Sequence, residues 1–174
     1  MLPATAEETI PGLIDELERL FRAYHGLLFR TAYRITGNAT DAEDVLQTVF
    51  LRLAGRDPSA PPLGNCEGYL RRAAINAALD VVRARRADAS VPLDDSRPDP
   101  RQPDRCELRH CLRRSLASLS PGAAEIFALR FLEGHSNREI AGMLGMSQVR
   151  VAVTLYRARR RLQKEIRSYL GGRL

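Results

Sequence analysis

The chain has 174 residues and a formal charge of +6, from 27 Lys and Arg against 21 Asp and Glu. Its 44% hydrophobic residues can build a core, which excludes wholesale disorder. No stretch approaches the roughly 20 apolar residues of a membrane span, the amino terminus lacks the pattern of a secretory signal, and three cysteines are too few for a disulfide scaffold.

A cytoplasmic protein of one or two small domains is therefore expected. In 12–36, Leu13, Leu17, Leu20, Phe21, Tyr24, Leu27, Leu28, Ala32 and Ile35 recur at helical spacing, and Gly37-Asn38 ends that helix. Thr40-Asp41-Ala42-Glu43 has the form of a capping box, which predicts a second helix starting there. Val45, Leu46, Val49, Phe50 and Leu53 form its apolar stripe. Its acidic start (Asp41, Glu43, Asp44) suits the helix dipole. With exposed Gln47, Arg52 and Arg56, it reads as a docking face for a protein partner or as a well-capped surface helix.

Pro and Gly in 57–65 break the chain. A third helix over about 67–87 is expected to bury Leu70, Ala73, Ala74, Ala77, Ala78 and Val81. It carries five Arg against one Asp in 71–86, a second basic stripe. Asn76 and Asp80 lie one turn apart on it, as an internal polar pair or as base-reading groups.

Residues 89–105 hold four Pro and four Asp with no apolar period, the composition of a flexible linker. Extended, it reaches roughly 60 Å at ~3.3–3.6 Å per residue. Two helical domains follow, 1–88 and 106–174. The first carries 11 Arg and 12 acids, the linker 3 Arg and 4 acids, and the second 13 basic residues and 5 acids. The whole positive excess lies in the last 69 residues, which points to a polyanion such as nucleic acid.

In the second domain, helices are predicted over Cys106–Leu119 and from Pro121 behind a Ser120 N-cap. Gly134 interrupts the chain, and Ser136-x-x-Glu139 is a second capping box. From there to Lys164 the sequence reads as a helix-turn-helix. Ile140, Ala141 and Leu144 face inward on the first helix, Gly145 sits in the turn, and Ser147 caps the second helix. Val151, Leu155, Ala158 and Leu162 anchor that second helix. Its other face offers Gln148, Arg150, Thr154, Arg157 and Arg161. Seven basic residues against one acid in 150–167 favour DNA over a solvated helical hairpin. Such a helix enters the major groove with its first residues toward base edges, and later arginines suit phosphates. No strand-like alternation occurs, so the fold class is all-α.

Cys106, His110 and Cys111 lie at i, i+4 and i+5 on one predicted helix. Three local ligands make a poor metal site, so small buried hydrophobes are expected there, with no metal and no cofactor. No P-loop, dinucleotide fingerprint or Ser/His/Asp set argues for an enzyme.

The chain resembles the two-domain alternative sigma factors of bacterial RNA polymerase, the extracytoplasmic-function group of the sigma-70 family. DAEDVLQTVFLRLAGR (41–56) is similar to the family's clamp-binding helix, EGYLRRAAINAALDVVRARR (67–86) to its −10-reading and melting helix, and 119–162 to its −35-binding domain. The resemblance implies polymerase contacts at Asp41, Glu43, Asp44, Gln47, Phe50 and Leu51. It implies −10 contacts at Tyr69, Arg72, Asn76, Asp80 and Arg83, with a flipped base held by the loop 57–66 and Asn76. The −35 contacts it implies are Arg130, Arg138, Ser147, Gln148, Arg150, Ala152, Val153, Tyr156 and Arg157. Where the family usually has polar residues, Ala152 and Val153 suggest apolar contact with thymine methyls. The implied partners are core RNA polymerase, promoter DNA and an anti-sigma factor. The linker would run toward the RNA exit path. A self-contained helix-turn-helix regulator would need neither the helix 41–56 nor the linker, and an antagonist mimicking sigma domains would show no DNA affinity.

Overall fold

The computed structural model describes residues 6–57, 63–87 and 103–171, with side chains described over 14–57, 63–87 and 109–168. The chain there is all-α, with seven helices: α1 (Ala6–Thr36), α2 (Ala39–Ala54), α3 (Cys66–Ala87), α4 (Pro103–Ser118), α5 (Pro121–Phe131), α6 (Asn137–Leu144) and α7 (Gln148–Gly171). The linker residues 88–102, the loop residues 58–62 and the Cys106 side chain lie outside the described residues.

The first domain is a three-helix bundle. The carboxy-terminal half of α1 buries Leu28, Thr31, Ala32 and Ile35, whereas Ile14 and Phe21 in its first half remain exposed. Helix α1 ends where Gly37 takes a left-handed φ of 69° and donates its N–H to the Tyr33 carbonyl at 2.8 Å. The expected capping box at Thr40 does not form. Asn38, with φ −134°, is the N-cap of α2, and its side chain accepts from the Asp41 N–H at 3.1 Å. An N-cap must be extended, and the residue directly after the αL glycine already is, so the helix starts two residues early. Helix α1 likewise begins at Ala6 rather than 12. Helix α4 begins three residues before the expected Cys106.

Helix α3 departs most from expectation. Leu70, Ala74, Ala77 and Ala78 are buried as predicted, Ala73 and Val81 only partly, and Ile75, Leu79 and Val82 are buried as well. On a helix these form two arcs. One packs on α1 and α2. The other lies between Arg71, Arg72 and Arg86, all of which bond groups of the second domain. The two domains therefore share one continuous apolar core with α3 at its centre.

In the second domain, α5 buries Ala124, Ile126, Phe127, Ala128 and Leu129. Ser120 precedes it with no side-chain capping bond, Pro121 filling the first position. The Ser136–Glu139 capping box is formed in both directions, at 3.2 and 2.8 Å. The helix-turn-helix follows. Gly145 is left-handed at φ 61°, its N–H and that of Met146 both donate to the Ala141 carbonyl, and α7 opens behind it. Val151, Leu155, Ala158 and Leu162 of α7 pack inward with Ile140 and Ala141 of α6.

Candidate nucleic-acid interface

Helix α7 presents the broader basic face. Ser147 Oγ accepts from the Arg150 N–H at 3.2 Å, so the expected cap is present. The four buried residues of α7 fix which side is turned out. Gln148, Arg150, Ala152, Val153, Tyr156 and Arg157 all lie on that outer side and are exposed. Val149, which sequence reasoning missed, is the most exposed apolar residue there, at 71%. With Val153 and Tyr156 it makes an apolar stripe at i, i+4 and i+7, rimmed by Arg150 and Arg157. Thr154 turns back on its own helix and donates to the Arg150 carbonyl at 2.8 Å. Three cations are partly engaged. Arg159 stacks over Phe131 at 5.2 Å, Arg160 over Tyr156 at 5.9 Å, and Arg161 lies 3.6 Å from Glu165.

Arg138 is exposed on the first turn of α6. Arg130 is exposed too, but its Nη1 donates to the His135 carbonyl at 2.9 Å and so braces the turn into α6. The side-chain bond from Ser136, followed by the backbone one, holds the Glu139 carboxyl below its ordinary pKa.

The second expected nucleic-acid face is on α3, and much of it is occupied. Tyr69 is exposed. Arg72 Nε pairs with Glu125 Oε1 of α5 at 2.8 Å, and its Nη1 donates to the Met143 carbonyl of α6 at 3.1 Å. Asn76 Nδ2 donates to the same Glu125 oxygen at 3.3 Å. Asp80 pairs with Arg83 at 2.9 Å, so Asn76 and Asp80 share a side of the helix but have different partners. Beside them, Arg71 bridges Glu67 at 2.6 Å and Glu133 of the second domain. Burial works against the Arg71 charge, yet its hydrogen bonds to Glu67 and Glu133 outweigh that and raise its pKa. Glu125 and Glu133 escaped sequence reasoning. The readable signal was a glutamate inside the apolar run Ala123–Leu129, since a buried carboxylate needs a partner.

On α2, Glu43, Asp44, Gln47 and Leu51 are exposed, Leu51 at 72%. Asp41 and Phe50 are not surface groups. Asp41 is buried against Arg85 at 2.6 Å, and burial pushes its carboxyl above the ordinary value against the pull of Arg85. Phe50 packs edge-on against Phe21 at 5.0 Å. Both follow from helical phase, for they lie beside Ala42, Val45, Val49 and Leu53 on the core side. Cys111 is buried and Cys66 half-buried, with burial raising the Cys66 thiol. Among the described residues no group of three or more His, Cys, Asp or Glu could hold a metal ion, and no helix is long and apolar enough to cross a membrane.

Two family models match the chain. Sigma-70 region 2 covers residues 20–88, and Sigma-70, region 4 covers residues 109–162. An RNA polymerase sigma-E factor of Streptomyces avermitilis is 35% identical over 160 residues, which span 90% of this chain and 88% of that protein. The ECF RNA polymerase sigma factor SigE of Mycolicibacterium smegmatis is 34% identical, over 92% of this chain and 64% of its own length. Among solved structures, CnrH in complex with the cytosolic domain of CnrY matches with a TM-score of 0.52 and 26% identity, over 87% of this chain and 88% of that one. The sigma factor RpoE of Bartonella quintana, in complex with the anti-sigma factor NepR, shares the fold with a TM-score of 0.50 and 18% identity, over 87% of this chain and 97% of that one. The chain belongs to the extracytoplasmic-function group of the sigma-70 family, as an alternative sigma factor that directs RNA polymerase to promoters and is an initiation factor rather than an enzyme.

Proposed function

We propose that α6 and α7 read the −35 element, α3 with the preceding loop captures the −10 element, and α2 docks on the polymerase. The observation that carries the −35 assignment is the outer face of α7, where an exposed apolar stripe is rimmed by cations. Arginines at the rim suit phosphates, and Val149, Val153 and Tyr156 suit thymine methyls. Arg138 and Arg130 flank that face from α6 and α5. On α3, Tyr69, Arg72, Asn76, Asp80 and Arg83 form the −10 surface, with Asn76 beside a base extruded into the loop. The exposed Glu43, Asp44, Gln47 and Leu51 meet the polymerase, while Asp41 and Phe50 hold α2 in place. The protein works in the cytoplasm, where polymerase and chromosome are. An anti-sigma factor holds it in reserve, a partner of the class with which RpoE of Bartonella quintana was solved.

Reconstituted transcription tests the division. Core polymerase is loaded with the full chain and given promoters altered only at −35 or only at −10. Arg150→Ala and Arg157→Ala should weaken initiation on intact promoters yet add little to a −35 lesion already present. Losses that simply multiply at both elements would refute the assignment.

A further inference from the structure

We propose that the outward face of α1 around Gly26, Phe29, Arg30 and Tyr33 binds the unpaired promoter strand beside the −10 surface, stacking a base on Tyr33 and holding a phosphate at Arg30. This extends the α3 assignment above and rests on it.

The second half of α1 differs in chemistry from the first. Between Arg19 and Thr36 it carries four Arg, one His and no acid, together with Phe21, Tyr24, Phe29 and Tyr33. Leu28, Ala32 and Ile35 turn inward and are fully buried. Gly26, Phe29, Arg30 and Tyr33 stand at i, i+3, i+4 and i+7, so they share the opposite side. Tyr33 is 48% exposed, and its ring lies nearly parallel to Phe29, with centroids 6.2 Å apart and 14° between planes. Phe29 thus backs a ring that still offers area to solvent. Arg30 is exposed and makes no side-chain bond among the described residues. Its guanidinium reaches back over Gly26, where Nη1 would lie 3.4 Å from an added Cβ and nothing else comes within 4 Å. The missing side chain leaves a notch between the aromatic pair and the cation. One turn further toward the amino terminus, Arg22 extends the basic edge, paired there with Glu18.

An aromatic surface edged by arginines suits unpaired nucleic acid, whose bases expose π-faces that a duplex hides in its stack. The absence of acids from this half of α1 favours a phosphate backbone as the occupant. The face also adjoins the −10 surface. Arg34 of α1 and Arg71 of α3 bond the two oxygens of one carboxylate, Glu133, so the two helices bring their arginines within the span of a single side chain. Tyr33 precedes Arg34, and Tyr69 and Arg72 flank Arg71. A strand held on α3 therefore has Tyr33 and Arg30 next along its path.

Core polymerase loaded with the full chain, titrated with single-stranded oligonucleotides, tests this. Each oligonucleotide carries the −10 element with about four flanking nucleotides on either side, the flanks bearing bases in one form and abasic in the other, so that charge is constant. Tyr33→Ala should weaken binding of the base-bearing form by at least about fivefold, the scale of one lost stack, and barely change the abasic form. Tyr33→Phe should behave as wild type. Arg30→Ala should weaken both forms and lower the slope of log affinity against log salt by about 0.7, an independent readout should Tyr33→Ala disturb Phe29. Equal losses on the two forms, or none on either, would overturn the proposal. Weaker assembly with core polymerase at unchanged strand binding would do so as well, marking a protein-docking face. A wild-type holoenzyme that fails to distinguish the −10 element from a scrambled one would sink the α3 assignment, an outcome read separately from the dependence on flanking bases.

Discussion

Replacing Arg157 by Ala removes one cation from the outer face of α7 without touching its packing. Arg157 is exposed, while the neighbouring Val151, Leu155 and Ala158 carry the core contacts. Each phosphate neutralised on duplex DNA contributes about 0.9 to the slope of log affinity against log salt. If Arg157 meets one phosphate, the variant's slope should be shallower by about 0.9. Over a fourfold change, from about 50 to about 200 mM salt, that is roughly a 3.5-fold difference in how much affinity is lost. Fluorescence anisotropy of the full chain on a labelled −35 duplex, titrated at several salt concentrations, reads this directly. Tyr156→Ala is the companion, since it should lower affinity at every salt concentration with no change of slope. Equal slopes for wild type and Arg157→Ala would refute the phosphate assignment. A slope change in Tyr156→Ala would show that the face binds in some other register.

Uracil in place of the −35 thymines removes only the C5 methyl, and should weaken binding by wild type but scarcely by a variant with Val149 and Val153 both changed to Ala. Leu51→Ser should reduce affinity for core polymerase by about tenfold in a competition assay with Tm unchanged, whereas Phe50→Ala opens a core cavity worth about 3–5 kcal/mol and should show itself as a lower Tm. Gly145→Ala meets no atom within 4 Å, so its cost is the left-handed backbone alone, about 1 kcal/mol or roughly 2–4 °C in Tm; Gly37→Ala should cost more, because Arg113 must also move. Burial raises the folded pKa of Asp41 above its ordinary 3.8, so the native state holds this proton more tightly than the unfolded chain and the group detracts from stability once the pH rises through that window. Asp41→Asn should then match or exceed the wild-type Tm at pH 7, with its advantage fading below about pH 4; a clear loss at pH 7 would mean that the Arg85 bond outweighs burial.

The helices were legible because their apolar residues recur at 3.6, and the Ser136 box and Gly145 turn because each rests on a local bond between near neighbours. Thr40 misled for the same reason, since two residue types at the right spacing suggested a box that Asn38 had already displaced. The outer face of α7 followed from its anchors. The inner faces of α3 did not. Ile75, Leu79 and Val82 form a second apolar arc whose partner lies beyond a Pro- and Asp-rich stretch, and no periodicity reports what a distant segment covers. Glu125 alone carried a trace of that contact, as a charge in an apolar run, but its partners could not be named without the fold.

The sharing of one core across both domains bears on how such factors can be recombined. Exchanging the helix-turn-helix domain of this chain for that of a relative would leave the incoming recognition helix intact in its new setting. It would also set Ile75, Leu79 and Val82 against an unmatched surface and strand Arg71 and Arg72 without Glu133 and Glu125. A chimera would carry the new helix-turn-helix and lose the shared core of the old pairing, unless α5 travels with α3.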